Sequence, residues 1–113
     1  MADPAIMAIV RQYLALLPQF GIHPERAILF GSHLRGDTHE CNDIDLVVIA
    51  PGFDISRGMA TKQKLWAARI KSGERIEPIP CGVKEWKNVA HTTRPIIDIA
   101  LREGKIIKPA LAA

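Results

Sequence analysis

Two aspartates, Asp43 and Asp45, open the apolar run IDLVVI one residue apart. In an extended strand, residues i and i+2 leave the same face. Both carboxylates then stand side by side, while Ile44, Leu46 and Val48 enter apolar packing on the other face. Ionised carboxylates are costly to bury and repel one another. A hard divalent cation relieves both costs, and Mg²⁺ takes one or two carboxylates together with substrate phosphate oxygens and retained water. The same residues also fit a plainer role, with Asp43 capping a turn and Asp45 at the surface. Gly31-Ser32 breaks the preceding apolar run RAILF. Glycine at a strand-to-helix junction lets the backbone approach a ligand closely. The first N–H groups of a helix form an anion site, and the Ser32 hydroxyl adds a donor. Alone, the pair equally describes an ordinary helix cap. Arg35, one turn after Ser32, suits phosphate neutralisation as well as it suits a surface position.

The elements that must position these residues are legible in outline. Asp3-Pro4 reads as a cap and first helical residue. Ile6, Val10, Tyr13 and Leu17 then recur at helical spacing up to Pro18. A turn over Gly21 to Pro24 leads to a strand over Arg26 to Phe30. A short helix is expected over His33 to Arg35, then a polar loop and a strand over Asp43 to Ile49, closed by Pro51-Gly52. A second long helix is expected over Ser56 to Ser72, with Met59, Gln63, Trp66 and Ile70 on one face and Gly73 as its stop. Its Lys62, Lys64, Arg69 and Lys71 read as a solvated basic face or as a contact for phosphate or an acidic partner. Arg75 to Pro80 is a third strand, where Pro78 and Pro80 argue for an edge position or a short ladder. Pro95 to Glu103 is a closing helix with an Asp98–Arg102 pair. Gly104 ends it, and a short strand over Lys105 to Lys108 follows. This order predicts an α/β (α+β) domain, a small mixed β-sheet flanked by helices.

The 113 residues suit a single domain over 1–113. Apolar residues make up 48% and charged residues 24%, and the net charge is only +3. That balance admits an anionic small partner such as a nucleotide but falls short of a nucleic-acid-binding surface. Cys41 and Cys81 form no CxxC pair and read as free thiols of a reducing, cytoplasmic compartment. His39-Glu40-Cys41 are too close in sequence to converge easily on one metal ion. No apolar run is long enough for a membrane span.

The spacing sharpens the reading. Ten residues separate Ser32 from Asp43, giving GS-x10-DxD with a strand before GS and a strand carrying DxD. With FGSHLRG and NDIDLVV around it, the chain resembles the minimal nucleotidyltransferases of the DNA polymerase beta-like superfamily. The likeness extends through the following helix, RIEPIP and IIDIALREGKII, and so covers most of the chain. The resemblance implies the polymerase-beta-like nucleotidyltransferase fold and a third carboxylate on a neighbouring strand. Glu77 is the matching position, where an edge-strand surface charge is the plainer account. It implies Mg²⁺ held by Asp43, Asp45 and Glu77, and a nucleoside triphosphate, ATP above all, held at Gly31, Ser32 and Arg35. It implies transfer of AMP to a hydroxyl.

Larger members append acceptor-recognition domains, and only about thirty residues follow the third strand here. The acceptor site is therefore expected to be shallow, shared within a homo-oligomer, or supplied by a second protein. The resemblance points to a HEPN-type helical toxin as that protein, with this chain as its antitoxin. The competing expectation is a non-catalytic binding module that neutralises or positions a partner. Transfer to a small molecule such as an aminoglycoside would need a larger recognition surface. Arg35-Gly36-Asp37 spells an adhesion tripeptide, but it falls in the loop that the motif already explains.

Overall fold

The computed structural model describes residues 4–30, 44–54, 59–72, 76–87 and 95–108. Gly31, Ser32, Arg35, Asp43, Cys41 and the expected short helix over 33–35 lie outside the described residues. The first helix, α1 (Pro4–Leu16), forms because Ile6, Val10, Tyr13 and Leu17 fall on one face, joined by Met7 and Leu14, and all are buried. It tightens into a 3₁₀ turn over Leu17–Phe20, which starts around Pro18. Gly21 ends that turn at φ 81°, a left-handed conformation that glycine adopts without a Cβ penalty. Its N–H donates to the Pro18 carbonyl at 3.0 Å, and Ile22 N–H donates to Leu17 at 3.1 Å.

The sheet has the order β3-β2-β1-β4. Strand β1 (Arg26–Phe30) pairs antiparallel with both β2 (Ile44–Ile49) and β4 (Lys105–Ile107). Strand β2 pairs parallel with β3 (Ile76–Cys81), so the connection between them crosses over through a helix, α2 (Met59–Ser72). The sheet is therefore mixed, and the expectation of an α+β domain holds. Central strands covered on both faces need apolar residues at successive positions, and Leu46 to Ile49 are all buried.

One face carries Ala27, Leu29, Ile44, Leu46, Val48 and Ile76 against α1 and α2. The other carries Ile28, Phe30, Val47, Ile49 and Cys81 against Ile97 and Ala100 of a closing helix, here α4 (Pro95–Glu103). Between β3 and α4 lies a short helix, α3 (Val83–Lys87), whose Val83 and Trp86 pack on this second cluster. Arg26 lies over the Trp86 ring, 5.4 Å from its centre. Gly104 is glycine for a steric reason. A Cβ there would run into the Ala100 carbonyl and the Ile28 side chain, where α4 hands over to β4.

Pro78 and Pro80 sit on the edge strand, as expected. Ala50 N–H donates to the Cys81 carbonyl at 3.1 Å, which turns the backbone of the odd-numbered β3 residues toward β2. The two missing proline donors then fall on the outer edge, where they obstruct pairing with another strand.

Helix α2 does not pack through the face that Met59, Gln63, Trp66 and Ile70 share. Leu65 and Ala68 face the core, and the Tyr13 hydroxyl donates to the Leu65 carbonyl at 2.7 Å in a buried contact. Met59, Trp66 and Ile70 face outward, with Met59 71% and Ile70 75% exposed. The larger apolar stripe is thus not the packing face. Small Ala68 beside Leu65 lets α2 approach α1, and the phenol of Tyr13 fixes the contact with a directional bond.

Candidate functional site

Asp45 and Glu77 are direct neighbours on adjacent parallel strands. In the β2–β3 register Asp45 lies opposite Glu77, and across β2–β1 it lies opposite Phe30. Strand alternation puts Asp45 on the same face as Val47 and Ile49, and Glu77 on the same face as Ile79 and Cys81. Both acids therefore occupy the α4 side of the sheet, and both are half-buried. Ile44, Leu46 and Val48 pack on the opposite side, as the alternation predicts.

The acids also share one end of the sheet. Each is the second residue of its strand, and Phe30 is the last residue of antiparallel β1. The chain leaves β1 at Phe30 and re-enters the sheet at Ile44, so residues 31–43 connect two strand ends beside the acid pair. Glu77, assigned by resemblance, is brought next to Asp45 by the parallel pairing of β3, a long-range arrangement that local sequence does not express.

Two hard carboxylates on one sheet face suit Mg²⁺ or another oxygen-seeking cation better than a thiol- or imidazole-loving one. Among the described residues no three His, Cys, Asp or Glu side chains gather as a metal site. Asp45 and Glu77 are two, and Asp43, the third acid of the expected set, lies outside the described residues. Cys81 is a free, buried cysteine whose thiol is 3.4 Å from the Gly82 carbonyl, and it behaves as a packing residue.

A cavity of about 320 Å³ opens at the other end of β2, lined among others by Ile22, His23, Phe53, Thr61 and Lys64. It contains neither acid, because β2 runs away from Asp45 toward Ala50 and β1 begins where β2 ends. The carboxylate pair rather than the cavity is therefore the candidate reaction centre.

The short helix α3, which the sequence reading missed, is held by a distant side chain. Asp54 accepts hydrogen bonds from the Val83 N–H at 3.1 Å and the Lys84 N–H at 2.9 Å, capping α3 from 29 residues upstream. A Cβ on Gly82 would fall on the same carboxylate. The signal was an Asp after Pro51-Gly52, readable as a turn residue but not as the cap of a later helix. No helix among the described residues is long and apolar enough to cross a membrane.

Compared with known proteins, residues 10–106 match the family model of the nucleotidyltransferase domain. No curated protein matches the chain significantly. Among solved structures, the chain is similar to a Sulfolobus solfataricus protein described, with reserve, as a nucleotidyltransferase. The identity is 19%, over 78% of this chain and 82% of that one, with a TM-score of 0.48.

Proposed function

The chain belongs to the nucleotidyltransferase domain family, and from that membership we propose a Mg²⁺-dependent transfer of a nucleoside monophosphate, AMP from ATP, to a hydroxyl of a protein acceptor. The observation that carries this reading is the pairing of Asp45 with Glu77 at the sheet end where β1 runs into Gly31-Ser32. Asp43, Asp45 and Glu77 would hold the metal. When bound, Mg²⁺ supplies Lewis-acid polarisation of the α-phosphate and charge neutralisation of the departing pyrophosphate. Gly31 and Ser32 donate backbone and hydroxyl hydrogen bonds to the terminal phosphates, and Arg35 neutralises their charge. The acceptor oxygen forms the new bond to the α-phosphorus, the bond to the bridging oxygen breaks, and pyrophosphate leaves. Glu77 would take the hydroxyl proton, as the alternative to holding the metal.

The acceptor in this reading is a HEPN-type helical partner, and the chain acts as its cytoplasmic antitoxin. The test is incubation of the chain with Mg²⁺, ATP labelled at the α-phosphate and a HEPN protein encoded beside it. Label should appear on the partner and be lost in Asp43→Asn and Asp45→Asn. Neutralisation of the partner with no label transfer, retained in both variants, would replace the enzyme with a binding module.

A further inference from the structure

Helix α2 carries two apolar stripes, and the core uses only one. Leu65 and Ala68 pack inward. Met59, Trp66 and Ile70, spaced at i, i+7 and i+11, form a line along the outer side, with Gln63 exposed between them. Met59 is 71%, Trp66 44% and Ile70 75% exposed. A shallow groove of about 520 Å³ lies at the Trp66–Ile70 part of this line, lined by Gln63, Trp66, Ala67, Arg69 and Ile70. Single exposed apolar residues are ordinary, but three large ones on one helix face, two of them beside a groove, mark an interaction surface.

The charges that α2 itself carries are all of one sign. Lys62 borders one side, with half-buried Arg69 seven residues on; Lys64 and Lys71 stand on the other side, Lys64 toward the cavity by Phe53 and Lys71 over the Phe20 ring at 5.7 Å. Arg69 lies over the Trp66 ring at 4.0 Å, so the indole is framed by a cation. No Asp or Glu occurs between Met59 and Ser72.

We propose that the outer face of α2 is a docking groove for an acidic amphipathic helix of a partner protein. The stripe has the i, i+7, i+11 geometry that a second helix matches along its own length. The occupant must present apolar anchors to Met59, Trp66 and Ile70 and carboxylates on its flanks, facing Lys62 and Lys64 first. A second copy of this chain does not fit. Pairing α2 against α2 would set the four cations against the same four. A lipid surface offers negative charge too, but a membrane-lying helix turns a broad apolar face outward. Here only three large apolar residues face outward, and polar Gln63 interrupts them. The proposal rests on α2 alone and does not depend on the transferase reading.

The test is a displayed library of helical peptides, with a fixed leucine stripe and flanking positions varied among Glu, Lys, Gln and Ser, selected on the whole protein. The expected result is enrichment of Glu on both flanks. Binding of the enriched peptides should fall at least tenfold in Ile70→Asp and in the Lys62→Glu/Lys64→Glu pair, and should weaken with salt. All these positions are exposed, so the variants should keep the parent's thermal midpoint. Three results would overturn the proposal. One is selection without acidic bias, or binding that survives Ile70→Asp. Another is binding to phosphatidylserine vesicles that Ile70→Asp abolishes, with no peptide enriched. The third is self-association by sedimentation that Ile70→Asp abolishes.

Discussion

The Asp45–Glu77 pair makes a prediction whose sign depends on the metal. Adjacent strands lie roughly 4.8 Å apart. At that separation two unit charges repel by about 0.9 kcal/mol in water and by about 3.5 kcal/mol at an effective dielectric of 20. Both residues are half-buried, which places the coupling between these limits, at about 1.5 kcal/mol. The perturbation is the double-mutant cycle of Asp45→Asn and Glu77→Gln, which removes contributions that either acid makes with other neighbours. Urea unfolding at neutral pH in a chelator should show each neutralisation to be more favourable when the other acid is present. With saturating Mg²⁺ the parent should gain RT ln(1 + [Mg²⁺]/Kd), about 2.7 kcal/mol at a hundredfold excess over Kd. The single variants should lose most of that gain, so the coupling changes sign. A coupling within about 0.3 kcal/mol of zero, or one that Mg²⁺ leaves unchanged, would mean that the strand register does not make these acids a unit, and the metal-site reasoning would fall.

Three further outcomes follow from the packing. Burial pushes the Tyr13 phenol well above its ordinary value of 10, with nearby Arg69 pulling weakly the other way. The protonated phenol is thus favoured in the fold, its contribution is complete below pH 10, and it is lost as pH rises further. Tyr13→Phe should be less stable at neutral pH by about 1 kcal/mol, for the lost bond to Leu65, and should lack the parent's extra decline in alkaline urea titrations, up to about 1.4 kcal/mol per pH unit. Asp54→Ala and Gly82→Ala should each cost about 1–2 kcal/mol, read as faster amide exchange in Val83–Lys87. Their double variant should cost little more than either alone, since both break the same cap. Gly104→Ala should cost about 2 kcal/mol or more by forcing α4 off β1, seen as a lowered thermal midpoint.

Much of the fold was legible wherever punctuation is local. Strand β1 and helix α4 occupy the stretches that Arg26–Phe30 and Pro95–Glu103 suggest, because Gly31, Pro95 and Gly104 bound them. The edge position of β3 could be read from Pro78 and Pro80. What was not legible depends on partners far away in sequence. The cap of α3 is Asp54, so Val83–Lys87 carries no start signal of its own. The inward face of α2 is decided by Tyr13 and by the small size of Ala68, which the spacing of its large apolar residues does not express. The acids were visible as residue types, but the neighbour relation of Asp45 and Glu77 appears only once β3 is known to run parallel to β2.

The same crossover that creates this neighbour relation also separates the two surfaces. Parallel strands need a connection over one face of the sheet, and α2 supplies it on the side of Leu46 and Val48, while Asp45 and Glu77 point to the side of α4. A helix docked along Met59, Trp66 and Ile70 therefore lies with the full thickness of α2 and the sheet between it and the acids. In the proposed transfer, the docked element then cannot itself present the acceptor hydroxyl. In that proposal the hydroxyl comes from another part of the partner or from a different molecule. Blocking α2 with a tight acidic peptide should consequently raise KM for an acceptor that uses both surfaces. For an acceptor that uses the acid end alone, kcat and KM should be unchanged.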